Sequence, residues 1–173
     1  MRDKTRRLDA LALEGRGVER QIGDLEQRAT RIAPDKDAEL GRQCGECSLC
    51  CKVLEIKQTD GPLELAFAKV QGKWCVYAAK KAGCKIHHVK PDVCREFRCL
   101  WLQGAGPEAM RPDRIGAVLT PTADGEGLII HEDPGRRGDA RYALRPTVRE
   151  FLAKGHRVFV VCGDVRREAK APW

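Results

Sequence analysis

An α+β fold is expected for this chain, and three observations lead to it. Eight of the nine cysteines crowd into residues 41–104. Beyond residue 105 the apolar runs follow the order strand, strand, helix, strand, and residues 1–40 carry an amphipathic helical pattern. The expected architecture is a small cysteine-rich metal-binding lobe packed on a short mixed or antiparallel sheet with a few helices, preceded by an N-terminal amphipathic helix. Residues 1–40 form the helical appendage. Residues 41–173 form a single α+β domain, made of a cysteine-cluster part (41–104) and a β-β-α-β part (105–173). With 173 residues, 42% of them hydrophobic, the chain can bury a core of that size.

In the appendage, Leu8, Leu11, Gly15, Val18, Ile22, Leu25, Ala29 and Ile32 alternate at spacings of three and four, as along a heptad seam. Gly15, Gly17 and Gly23 weaken that helix by about 1 kcal/mol each relative to Ala, and Pro34 marks its boundary. The seam suits either packing on the chain's own domain or self-association and docking of a protein partner. Residues 52–57 (Lys-Val-Leu-Glu-Ile-Lys) alternate as a short strand would, and residues 62–69 suit a helical turn or two. Residues 115–120 and 128–131 read as two strands of a hairpin, with Asp124-Gly125-Glu126-Gly127 as its turn. Residues 146–154 read as a short helix with Pro146 in its first turn and Gly155 just past its end. Residues 157–162 (Arg-Val-Phe-Val-Val-Cys) are the strongest strand, and Cys162 there reads as a core residue.

Several function classes are disfavoured. The best uninterrupted apolar run, residues 158–162, has five residues, far short of the roughly 20 that span a bilayer. No apolar stretch follows the charged residues 1–7, so no secretory signal is expected, and a cytoplasmic location is. Net charge is +7, with an excess of 0 over residues 1–40, +5 over 41–99 and +2 over 100–173. A positive surplus gathered around cysteines offsets thiolate charge, since a four-thiolate zinc site carries a net −2. A nucleic-acid footprint is the sharper reading, but aromatics are only 5% of the chain and no stretch interleaves them with basic residues, which argues against it.

Nine cysteines without an export signal point to metal rather than disulfides. Cys44-Gly-Glu-Cys47-Ser-Leu-Cys50-Cys51 is the strongest feature. A C-x2-C turn brings two sulfurs together while backbone amides point at them, which is why it recurs in zinc sites. Three cysteines spaced by two residues also match the opening of the bacterial ferredoxin run, but here the fourth follows at once and no Pro follows it. Adjacent side chains of an extended backbone point to opposite sides. One of Cys50 and Cys51 is therefore expected to complete a set with Cys44 and Cys47 while the other joins a second set. Partners would come from Cys75, Cys84, Cys94 and Cys99, as two four-thiolate sites or as one cluster with thiols left over.

The blocks taken together, Cys44-x2-Cys47-x2-Cys50-Cys51, Lys73-Trp74-Cys75, Gly83-Cys84-Lys85-Ile86 and Pro91-x2-Cys94-Arg95-x-Phe97-x-Cys99, resemble the CxxCxxCC cysteine-cluster family, whose members are described as zinc- or iron-chelating domain proteins. The resemblance covers about 60 of the 173 residues. His87 stands where Tyr is common, and Lys90-Pro91 replaces Arg-Pro. It implies a metal-binding function with Cys44, Cys47, Cys50, Cys51, Cys75, Cys84, Cys94 and Cys99 as ligands to zinc or iron, the latter including an iron–sulfur cluster. Some relatives are tied to flagellin lysine methylation. The alternative it implies is an iron–sulfur protein acting in redox chemistry or as a component of a modifying enzyme such as a methylase.

Catalytic signatures are missing: there is no H-E-x-x-H, no H-x-E with P-C-x-x-C, no G-x-S-x-G and no phosphate-binding glycine loop. Glu46 and Glu96 flank cysteines and read as exposed charges sooner than as an acid or base. His87 and His88, three and four residues after Cys84, read as surface or packing residues sooner than as ligands, and His131 as structural. Arg95 and Arg98 are expected to offset thiolate charge. No catalytic residue is assigned.

Overall fold

The computed structural model describes residues 41–57, 69–79, 82–86, 90–171 and 173. The expected N-terminal helix and most of the helical reading of 62–69 lie outside these residues, as do His87 and His88. The fold is α+β, with a few helices, a two-stranded antiparallel sheet and a four-stranded mixed sheet.

The four-stranded sheet contains β3 (Ala117–Pro121), β4 (Leu128–Glu132), β5 (Val158–Cys162) and β6 (Val165–Glu168), in that spatial order. The hairpin β3–β4 is antiparallel, with Leu119 opposite Ile130. Between β4 and β5 the chain runs through the longest helix (Ala140–Ala153), and the two strands pair in parallel, with Ile130 opposite Val160. Such a pairing needs a crossover of this length, because a tight turn can join only antiparallel neighbours. Successive strand side chains alternate between faces. Leu119, Ile130 and Val160 thus share one face, where the helix covers them with Ala140, Leu144 and Val148. Those three recur every four residues, one stripe of the helix.

The helix begins six residues earlier than the sequence suggested, so Pro146 lies in its interior rather than in its first turn. Proline there removes the N–H that would bond the carbonyl of Tyr142. Tyr142 is 85% exposed, so water can take that carbonyl, and the buried stripe holds the helix together on the other side. The helix stops as expected: Gly155 adopts φ 79° and donates to Leu152 O at 3.0 Å.

The opposite face of β3 carries Val118, only 1% exposed, and it faces the cysteine-bearing residues. These contribute short elements: α1 (Cys50–Val53), the strands β1 (Ala78–Ala79) and β2 (Gly83–Cys84), and α2 (Asp92–Glu96). After a 3-10 turn at Glu108–Met110, α3 (Pro112–Ile115) leads into β3. The long helix is α4. The strand expected over residues 52–57 does not form. Val53 belongs to a helical turn, its N–H bonding Leu49 O at 3.0 Å, which sets Leu49 and Val53 side by side in the core beside Val118. Only Ile56 pairs as a strand residue does, in an isolated bridge to Lys69.

His131 lies on the Val118 face of β4 and gives the fold a pH dependence. Its Nε2 sits 3.0 Å from Thr120 Oγ1, while Nδ1 is sealed from solvent with no hydrogen-bond partner among the described residues. Burial, helped by Arg166, holds its pKa down at about 4 against the ordinary 6.5. The native imidazole stays neutral while the unfolded one takes up a proton, so stability present above pH 6.5 is lost as pH falls toward 4. Unfolding in denaturant at pH 7 and pH 4.5 should show this loss, about 2 kcal/mol, in the wild type relative to His131→Gln. Parallel pH profiles for the two proteins would show that His131 does not titrate between the native and unfolded states.

Candidate metal centre

The segment Cys44–Cys51 is folded by its own backbone. Cys47 N–H bonds Cys44 O at 2.8 Å, closing the first C-x2-C turn, and Cys51 N–H bonds Ser48 O at 2.9 Å, starting the helical turn α1. The expectation that Cys50 and Cys51 point to opposite sides assumed extended backbone. In a helix of 3.6 residues per turn, neighbours diverge by only about 100°. The two thiols are in fact hydrogen-bonded to each other.

The other cysteines are carried to this segment by separate elements. Cys75 is tied to α1 through its N–H, which bonds Cys51 O at 2.8 Å. Cys84 sits on β2 opposite Ala78 of β1, whose N–H bonds Cys75 O at 3.0 Å, so one hairpin holds both thiols. That hairpin rests on the first C-x2-C turn at Gly83, where an added Cβ would come within 2.9 Å of Gly45 O. No larger residue fits there without moving the turn. Cys94 lies on α2, whose first turn is closed by Cys94 N–H to Pro91 O at 2.9 Å. Cys99 is buried next to Leu100, whose N–H bonds Leu119 O of β3 at 2.9 Å.

All eight cysteines line one cavity of about 160 Å³, walled otherwise by side chains such as Leu54, Ile86, Phe97, Trp101 and Val118. The ninth, Cys162, is half-buried at the end of β5 and stands outside this cavity. Among the described residues, which include all nine cysteines, there is no disulfide.

Four of the thiols share one local arrangement. Cys47, Cys75, Cys84 and Cys99 each receive a backbone N–H from the residue two positions on, namely Leu49, Tyr77, Ile86 and Trp101. Such N–H groups stabilise a thiolate whether or not a cation is near. Burial works the other way. It pushes the thiols of Cys47, Cys75, Cys84 and Cys99 up, and that of Cys94 to about 11. Cys51 is the exception, lowered to about 7 because the Cys50 thiol donates to it and the ammonium groups of Lys69 and Lys90 lie near.

The charges around the cavity differ from those expected. Arg95 donates to Lys90 O at 2.9 Å and Arg98 to Phe97 O at 3.0 Å, so both guanidinium groups brace the backbone around α2. The buried cations beside the thiols are Lys69 and Lys90, 3% and 8% exposed. Lys69 also donates to the carbonyls of Lys52 and Leu54. Neither lysine stood out in the sequence, although Lys90-Pro91 belongs to a cysteine block. Glu46 and Glu96 are exposed and away from the cavity.

The chain matches no known protein-family model, no curated protein and no solved structure. What the site can hold therefore has to come from its own chemistry. Among the described residues, no three His, Cys, Asp or Glu side chains converge as the ligands of a bound ion would. The donor set nevertheless fits a thiophilic metal: eight soft sulfurs, several with N–H donors, buried cations to offset thiolate charge, and apolar walls. Ionised thiolates repel one another at short range, and the cation itself offsets that repulsion as it binds.

Proposed function

We propose that this protein binds zinc or iron through clustered cysteine thiolates. The observation that carries the reading is that eight cysteines, delivered by a turn, a hairpin, a short helix and a sheet-anchored loop, line a single cavity. Disulfide formation or ordinary packing would not call for eight thiols around one cavity. A bound zinc in a closed four-thiolate site would serve structure, because metal binding then supplies folding free energy. The resemblance to the CxxCxxCC family points the same way, since every cysteine of its blocks lies on this cavity.

An iron–sulfur centre is the second reading: a cavity of about 160 Å³ lined by eight sulfurs has room for a cluster as well as for separate ions. Such a centre would supply one-electron chemistry, while Lys69 and Lys90 would hold positive charge beside it.

The test is elemental analysis with a visible absorption spectrum on full-length protein, purified without oxygen and without a metal-chelating tag. Stoichiometric zinc with no visible band supports the structural thiolate site. Iron with matching acid-labile sulfide and a broad visible band supports the cluster. Protein with neither metal, all nine cysteines alkylating freely and no uptake of added zinc would overturn the reading.

A further inference from the structure

We propose that the eight cysteines form two separate four-thiolate sites, with Cys44, Cys47, Cys50 and Cys99 holding one metal ion and Cys51, Cys75, Cys84 and Cys94 holding another. The inference rests on the thiolate reading above and adds which sulfurs share an ion.

Packing divides the cysteines first. Cys99 belongs to the buried cluster of Leu49, Val53, Trp101, Leu102 and Val118, and Cys44, Cys47 and Cys50 are the three other cysteines packed against it. The remaining four stand apart from that cluster. Backbone ties group them instead: Cys75 is bonded to the Cys51 carbonyl, and the β1–β2 hairpin holds Cys84 beside Cys75.

Charge proximity, which reflects the same geometry, follows this division except at one point. Cys47 is influenced by Cys99, and Cys50 by Cys44 and Cys47 but first by Cys51 of the other set. Cys75 feels Cys51, Cys84 feels Cys51 and Cys75, and Cys94 feels Cys51, Cys75 and Cys84. The main link between the sets is the Cys50–Cys51 contact within the helical turn α1. Positive charge reaches both sets. Arg42 acts on Cys99, Lys90 acts on Cys51, Cys84 and Cys94, and Lys69 lies near Cys50 as well as near Cys51, Cys75 and Cys94. Four thiolates on a divalent ion carry a net −2, and each set meets positive charge. On loading, each ion replaces the protons of its thiols, which leave to solvent, and nothing is oxidised or reduced.

The test uses the full-length reduced protein with zinc as the probe. At two equivalents, eight cysteines should resist alkylation by N-ethylmaleimide and Cys162 should react. At one equivalent, intact-mass fragmentation should find molecules with four protected cysteines, always one of the two sets named. Cys99→Ser and Cys94→Ser should each lower zinc content from two ions to one and leave the other set protected. Should either variant fail to fold, the wild-type protection pattern still decides. Protected sets that mix members, or saturation at a single zinc, would overturn the partition while leaving the thiolate reading standing. No zinc uptake at all would overturn that reading itself.

Discussion

Replacing Cys47 and Cys94 together by serine is expected to remove the proposed metal and to unfold the cysteine-bearing elements α1, β1, β2 and α2, while the β3–β6 sheet and α4 keep their protection. The expectation follows from how little else holds the cysteine-bearing residues. Among the described residues, their regular elements are four, two, two and five residues long, too short to be stable alone. One residue of the core cluster they pack into, Val118, belongs to the sheet. A structural zinc site supplies on the order of 10 kcal/mol of folding free energy. The pair takes one ligand from each proposed set, so neither ion keeps a complete site. Metal analysis together with hydrogen exchange checks it, and chelation of the wild type should give the same exchange map. A double variant with full metal content and an unchanged melting temperature would show that these cysteines are not ligands.

Leu144→Ala should act on the other side of the molecule. Leu144 is fully buried at the centre of the α4 stripe, against the face shared by Leu119, Ile130 and Val160. Its truncation removes buried methyl groups and leaves a void that strands and helix can close only in part, for a loss of about 3 kcal/mol. Tyr142→Ala, two residues away on the solvent side, should stay within about 0.5 kcal/mol. Denaturant unfolding measures both, and metal content of the folded protein should be unchanged in each. Equal effects of the two substitutions would mean that α4 does not pack as described.

Strands β3, β4 and β5 were legible because each is an apolar run bounded by turn residues, and the sheet reads both residue type and length. α4 was half legible. Its C-terminus carries a glycine signal, but Pro146 mimicked a start, since sequence does not show that the carbonyl it orphans faces water. β6 was missed because Val165-Arg166-Arg167-Glu168 is exposed throughout and has no alternation. The available signal was Gly163-Asp164, a two-residue turn directly after a strong strand. In the cysteine part, the spacing singled out the eight cysteines that line the cavity, whereas the backbone at Cys50-Cys51 was not legible. It is helical rather than extended because Leu49 and Val53 pack into the same core. Lys69 and Lys90 were invisible as buried cations, because a lysine's burial depends on acceptors brought from elsewhere in the chain.

The two borders of the four-stranded sheet are treated differently. Along β3, the carbonyl of Leu119 is already taken by Leu100, and the cysteine-bearing residues crowd the strand at Val118. Along β6, the strand is short and carries Arg166, Arg167 and Glu168 to solvent, with Arg166 and Arg157 both stacked on Phe159. A foreign strand seeking main-chain partners would meet an occupied border on one side and solvated guanidinium groups on the other. If the proposed metal holds the cysteine-bearing residues in place, its loss would release the cover on β3 only. Fibrillar or edge-to-edge aggregation of the demetallated chain should therefore begin at β3 and leave the β6 border solvated.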